Sequence, residues 1–100
     1  MKTPTYIILG QFTQKGIVDI KSNPENIENS RKLAESLGGK MTAFYYTMGR
    51  YDFVTIVEGV NLDNALKGLL MTGKAGNVRT ETLVAFPAQK GNEIIKGIPE

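Results

Sequence analysis

"AFYYTMGRYDFVTIVEG", residues 43–59, sets two runs of aromatic and β-branched residues on either side of a polar tetrad, Gly49-Arg50-Tyr51-Asp52. Such runs suit the pleated, half-buried surface of a sheet, and a short polar break between them reads as a hairpin. The spacing predicts strands over Lys40–Met48 and Tyr51–Gly59, with Gly49-Arg50 alone as the loop. Gly at the first central position of a two-residue loop fits a type II′ turn. That register pairs Met48 with Tyr51, Tyr46 with Phe53 and Phe44 with Thr55, all on one face. Ala43, Tyr45, Thr47, Asp52, Val54, Ile56 and Glu58 fall on the other. A loop longer by one residue would reassign every side chain of one strand to the opposite face.

Upstream, "TYIILGQF" (Thr5–Phe12) is a third strand, with Ile7 and Leu9 pointing one way and Tyr6, Ile8 and Phe12 the other. The connection after it carries one helical turn around Ile17–Ile20. Ser22 stands three residues before Glu25, as in a capping box, and Pro24 suits a first helical turn. A helix is therefore expected from Pro24 to Leu37, with Ile27, Ser30, Leu33, Ala34 and Leu37 on one face and Gly38-Gly39 as its stop. Downstream, Asn61 caps a second helix whose stripe is Leu62, Ala65, Leu66, Leu69 and Leu70, ended by Gly73 to Gly76. "NVRTETLVAF" (Asn77–Phe86) is the fourth strand, stopped by Pro87, and a short helix around Asn92–Lys96 follows, with Ile94 and Ile95 docking.

The order β-α-β-β-α-β is that of the ferredoxin-like α+β fold. Right-handed crossovers put both helices on one face of a four-stranded antiparallel sheet, with the first and third strands central. One domain accounts for residues 1–100. Both faces of this sheet are apolar, and the helices cover one. Copies are therefore expected to pack sheet against sheet as a homodimer or higher homo-oligomer.

Composition removes several chemistries. Without Cys there is no disulfide, thiolate zinc site or cysteine nucleophile; without His there is no His-ligated haem or Ser-His-Asp triad. No metal or cofactor is expected, and any catalysis falls to carboxylates, Lys, Tyr, Arg or hydroxyls. Twelve Lys and Arg against ten Asp and Glu are scattered, which argues against a nucleic-acid partner. The apolar run near the N-terminus is too short for a signal peptide, and no stretch approaches the roughly 20 apolar residues of a membrane span. A cytoplasmic protein with no membrane partner is expected.

The candidate site residues are Tyr45, Arg50, Tyr51, Asp52, Arg79 and Glu81. Asp52 either accepts hydrogen bonds from hairpin N–H groups or pairs with Arg50 or Arg79; alternatively it binds a cationic or hydroxyl group, or acts as a base. Arg79 and Glu81 share a face of the fourth strand, where they form a cross-strand or intersubunit ion pair, or Arg79 grips a carboxylate. Tyr51 packs while its hydroxyl finds a polar partner, and Tyr45, Tyr46 and Tyr6 either line a cleft or join the core.

With its later "GNVRTETLVAF", the quoted stretch resembles the GYD domain proteins, named for a Gly-x-Tyr-Asp signature that Gly49, Tyr51 and Asp52 match. The resemblance implies a ferredoxin-like fold of the dimeric α/β-barrel type. A more distant likeness is to the ligand-binding domains of the Lrp/AsnC regulators, which bind small effectors near subunit interfaces. No helix-turn-helix is read in these residues, so a DNA-binding role is not expected. Together the residues and the resemblance point to an oligomeric small-molecule binding or sensing module with its site near the subunit interface. The alternative is a cofactor-independent enzyme of oxygenase or isomerase type using Asp52 and Arg79. A third reading is an oligomeric scaffold whose polar motif is structural.

Overall fold

The computed structural model describes residues 4–100. Four strands, β1 (Thr5–Phe12), β2 (Lys40–Tyr46), β3 (Phe53–Glu58) and β4 (Val78–Ala85), form one antiparallel sheet in the order β2-β3-β1-β4. Helices α2 (Asn23–Ser36) and α3 (Leu62–Ala75) make the two crossovers, α2 packing against β2 and α3 against β4. This is the ferredoxin-like βαββαβ fold, with β1 and β3 central.

Local chemistry explains most boundaries. Asn61 caps α3 by accepting the Asn64 N–H at 2.8 Å, and Gly76 ends it in the left-handed conformation, φ +85°. Thr13 caps a short helix, α1 (Gln14–Val18), by accepting the Gly16 N–H. A 3-10 turn, Ile20–Ser22, then runs into α2. Here the expected capping box does not form: Ser22 is itself in a helical conformation and makes no side-chain cap, because the preceding turn has already begun the coil. Pro24 stays in the first turn of α2.

The strand register matches the expected one where it was fixed by aromatic pairs: Tyr46 opposes Phe53 and Phe44 opposes Thr55. Two details differ. The ladder ends at Tyr46 and Phe53, so the loop is longer than Gly49-Arg50; the Thr47 N–H donates to the Asp52 carbonyl at 2.8 Å and closes it. Within it Gly49 sits at φ +113° with Met48 fully exposed. Second, a bulge at Thr42 lets Met41 oppose Val57 while Ala43 opposes Ile56. The extra residue turns Met41 to the helix side, where it is half-buried.

Rows across the sheet now define its faces. On the helix side run Tyr46–Phe53–Gly10–Thr80 and Phe44–Thr55–Ile8–Thr82. The Phe53 ring lies over Gly10, where a Cβ would come within 2.0 Å of it, and stacks on Phe44 at 5.1 Å. On the open side run Tyr45–Val54–Leu9–Glu81 and Ala43–Ile56–Ile7–Leu83. Among the described residues, no helix covers this second face.

Two helices depart from their expected packing. In α3, Ala65 and Leu69 face the sheet, but Leu62, Leu66 and Leu70 lie outward and exposed, so the stripe divides between two sides. The last helix, α4 (Ala88–Lys96), is longer than expected, and Ile94 and Ile95 do not dock; both are exposed. The chain accordingly extends over 54 × 31 × 19 Å, with a radius of gyration of 15.1 Å against about 13 Å for a compact hundred-residue domain.

Candidate functional site

The polar tetrad lies where β1 ends, β3 begins and β4 begins, at one end of the sheet. Asp52 is held there by its own backbone: its N–H donates to the Gly10 carbonyl and its carbonyl accepts from Thr47, each at 2.8 Å. The carboxylate then turns towards β1, and Oδ2 accepts the Phe12 N–H at 2.8 Å. Phe12 lies beyond the last β1–β3 pair, Gly10 with Phe53, so its amide would otherwise face a gap in the ladder. Asp52 fills that gap with a charged acceptor, stronger than the carbonyl it replaces.

Side chains from three elements complete the corner. Gln11 donates through Nε2 to the Arg50 carbonyl at 2.7 Å, and Thr47 Oγ1 donates to the Tyr51 carbonyl at 2.7 Å. With its backbone pinned, Tyr51 reaches Glu81, its hydroxyl donating to Oε1 at 2.5 Å. The Arg50 guanidinium sits 5.2 Å from the centre of the Tyr51 ring, a cation–π distance. The hydrogen bond to Glu81 raises the Tyr51 phenol above its ordinary pKa, aided by desolvation and the Glu81 charge and opposed by Arg50.

The six candidates therefore occupy one region. Arg50, Tyr51 and Glu81 are in direct contact, and Asp52 adjoins them. Arg79 opposes Gln11 at the end of β4, and Tyr45 stands exposed on the open face in the same row as Glu81. Among the described residues, neither Arg79 nor Glu81 makes the expected cross-strand ion pair. Among the described residues both ion pairs belong to Arg31 on α2, and Glu81 takes the Tyr51 hydroxyl instead. The three tyrosines also separate: Tyr6 lines the helix side, its hydroxyl donating to the Val60 carbonyl at 2.8 Å, whereas Tyr46 accepts from Asn23 and Tyr45 points the opposite way.

Gln11 and Thr47 escaped the sequence reading, although they hold the loop. Gln11 carried a signal, being the one polar residue with a long side chain inside an otherwise apolar strand.

The profile of the family described as "GYD domain" matches residues 6–95. This chain belongs to the GYD domain family. A curated relative from Thermus thermophilus, "Glutamine synthetase and cystathionine beta-lyase binding protein", is 35% identical over 85 residues, spanning 84% of this GYD chain and 90% of the relative. Two solved structures share the fold at low identity. FFRP-DM1 superposes with a TM-score of 0.57 at 21% identity, covering 83% of this chain and 99% of its own. The NE2512 protein of unknown function from Nitrosomonas europaea gives 0.51 at 14%, covering 86% and 92%. Both share the ferredoxin-like βαββαβ fold of the GYD chain. Among the described residues, no helix is long and apolar enough to cross a membrane.

Proposed function

We propose that this protein is a single-domain, cytoplasmic, oligomeric binding module. Copies associate through the open sheet face, and the polar corner at the end of that face recognises a partner near the subunit interface. The observation that carries this reading is the unbroken apolar field of Ile7, Leu9, Val54, Ile56 and Leu83 with Tyr45 at its rim, bordered by Arg50, Tyr51, Arg79 and Glu81. A large uncovered apolar patch rimmed by polar groups is the usual signature of an interaction surface. Arg79 brings a planar fork that no carboxylate of the described residues engages, and Arg is over-represented where binding energy concentrates.

The Thermus relative suggests the kind of partner. Its name describes a protein that binds glutamine synthetase and cystathionine β-lyase. We extend to this chain the same type of role, docking on an enzyme of amino-acid metabolism, with a small carboxylate ligand at Arg79 as a co-ligand that modulates it. Catalysis by Asp52 draws less support from the geometry, because Oδ2 is engaged by the Phe12 N–H.

The test is binding of the purified protein to the glutamine synthetase of its own organism, followed by interferometry. Saturable binding is expected, and it should fall by about tenfold or more in Arg79→Glu, a charge reversal in an exposed interface position. Absence of binding at tens of micromolar, or equal affinity of Arg79→Glu, would remove the corner from this role.

A further inference from the structure

The opposite side of the sheet holds a second feature, independent of the open face and its corner. Helices α2 and α3 lie over the outer strands β2 and β4, and between them a cavity of about 320 Å³ opens above the central strands. Sequence explains the gap. Small residues interrupt the larger ones on three of its walls: Ser30 and Ala34 beside Leu33 on α2, Ala65 and Gly68 beside Leu69 on α3, and Thr80 and Thr82 on β4. Side chains this short cannot close a sheet–helix layer at normal packing density. The volume is about twice that of an engineered apolar cavity that takes up benzene, and it reaches the range of natural ligand pockets.

Its lining narrows the chemistry. Among the described residues, no Asp, Glu, Lys or Arg lines it. Five of its eleven polar side chains are spent on the protein: Tyr6 donates to the Val60 carbonyl, Asn23 to the Tyr46 hydroxyl, Thr55 to Ala43, Asn64 to Leu37 and Thr72 to Gly68, whereas Asn26, Asn29 and Ser30 of α2 and Asn77 are not. The hydroxyls of Thr80 and Thr82, neighbours on the cavity side of β4, take part in none of these bonds. One wall is aromatic, formed by Phe44 stacked on Phe53 with an interplanar angle of 17°. A charged ligand would enter without a counter-ion and lose its hydration. A flat neutral one would meet a ring wall and, on β4, two adjacent hydroxyls for a polar group, with the α2 amides and Ser30 on the facing wall.

We infer that the sheet–helix cavity is a binding site for a neutral, largely apolar aromatic molecule of about two fused rings, oriented by the Thr80 and Thr82 hydroxyls. It is separate from the proposed partner-binding corner. Ile8 lines it while Ile7 and Leu9 point to the other face, so the two sites report on different methyl groups.

The experiment uses the full-length protein and two probes of the same size, neutral 2-naphthol and anionic 2-naphthoate. Titration is followed by calorimetry and by methyl NMR shifts. One naphthol per chain is expected, with shifts at Ile8 and Leu69 and none at Ile7 or Leu9, and with naphthoate binding about tenfold or more weakly. Ala65→Phe, which fills the cavity from α3, should lose naphthol binding while keeping its circular dichroism. Thr80→Val/Thr82→Val should weaken naphthol but leave naphthalene unchanged. The inference is overturned if naphthol does not saturate by millimolar concentration, if naphthoate binds equally, or if the shifts appear at Ile7 and Leu9. The wild-type shifts decide the matter even should Ala65→Phe fail to fold.

Discussion

Replacing Asp52 by Ala tests how the tetrad holds the end of the sheet. The residue's backbone is fixed on both sides, by Gly10 and Thr47, so the substitution removes the carboxylate and leaves the chain path in place. What is lost is the acceptor of the Phe12 N–H at 2.8 Å, in a part-buried position. Hydrogen bonds to charged groups contribute about 1.5–3 kcal/mol, and partial exposure, which lets water replace the acceptor, favours the lower end. With about 1.5 kcal/mol lost and roughly 4–8 °C per kcal/mol for a domain of this size, Tm should fall by about 6–12 °C. Asp52→Asn keeps a neutral acceptor and should lose about half as much. The assay is thermal unfolding by circular dichroism at one fixed protein concentration, since self-association couples to stability. A Tm within about 2 °C of wild type for Asp52→Ala, or an equal loss for Ala and Asn, would refute the assignment of the carboxylate to the ladder gap.

Two further outcomes follow from the geometry. Gly10→Ala places a Cβ 2.0 Å from the Phe53 ring and should destabilise by about 1–3 kcal/mol in urea unfolding, with Phe53→Leu restoring part of the loss; additive effects would show that the two residues are not in contact. Tyr51 should titrate above the ordinary value of about 10, seen as a later rise in tyrosinate absorbance that Glu81→Gln shifts downward. Because its folded pKa is raised, the protonated phenol's contact with Glu81 persists below pH ~10 and is lost as pH climbs through the raised value. An unchanged titration in Glu81→Gln would dissociate the pair.

Much of the fold was legible because each strand carried its own signal. "TYIILGQF" and "FVTIVE" are too apolar and β-branched for anything but central strands, and Asn61 and Gly76 marked the ends of α3 by cap chemistry alone. The Thr42 bulge was harder to read, although Met41 and Phe44 sit three apart and both face the helices, a spacing that a regular strand cannot satisfy. In α3, apolar residues spread around more than half the helix, so periodicity alone did not separate the sheet-facing Ala65 and Leu69 from the outward Leu62, Leu66 and Leu70. At the candidate site the residue types were visible and their partners were not. Tyr51 and Glu81 are thirty residues apart and meet because β1 lies between β3 and β4, a consequence of topology rather than of local pattern. The cavity was equally hidden, since Thr and Ala facing a sheet look like ordinary core until the distance between the layers is known.

Self-association through the open face is the claim on which the proposed function stands. Ile56 sits at its centre, in the row Ala43–Ile56–Ile7–Leu83. Sedimentation equilibrium of the wild type and Ile56→Asp, at tens of micromolar, measures it most directly. The expected result is a wild-type mass that is a multiple of the 11.0 kDa chain, and a single 11.0 kDa species for Ile56→Asp with its circular dichroism retained. A wild type that sediments at 11.0 kDa, or a variant with the same mass as an oligomeric wild type, would contradict it.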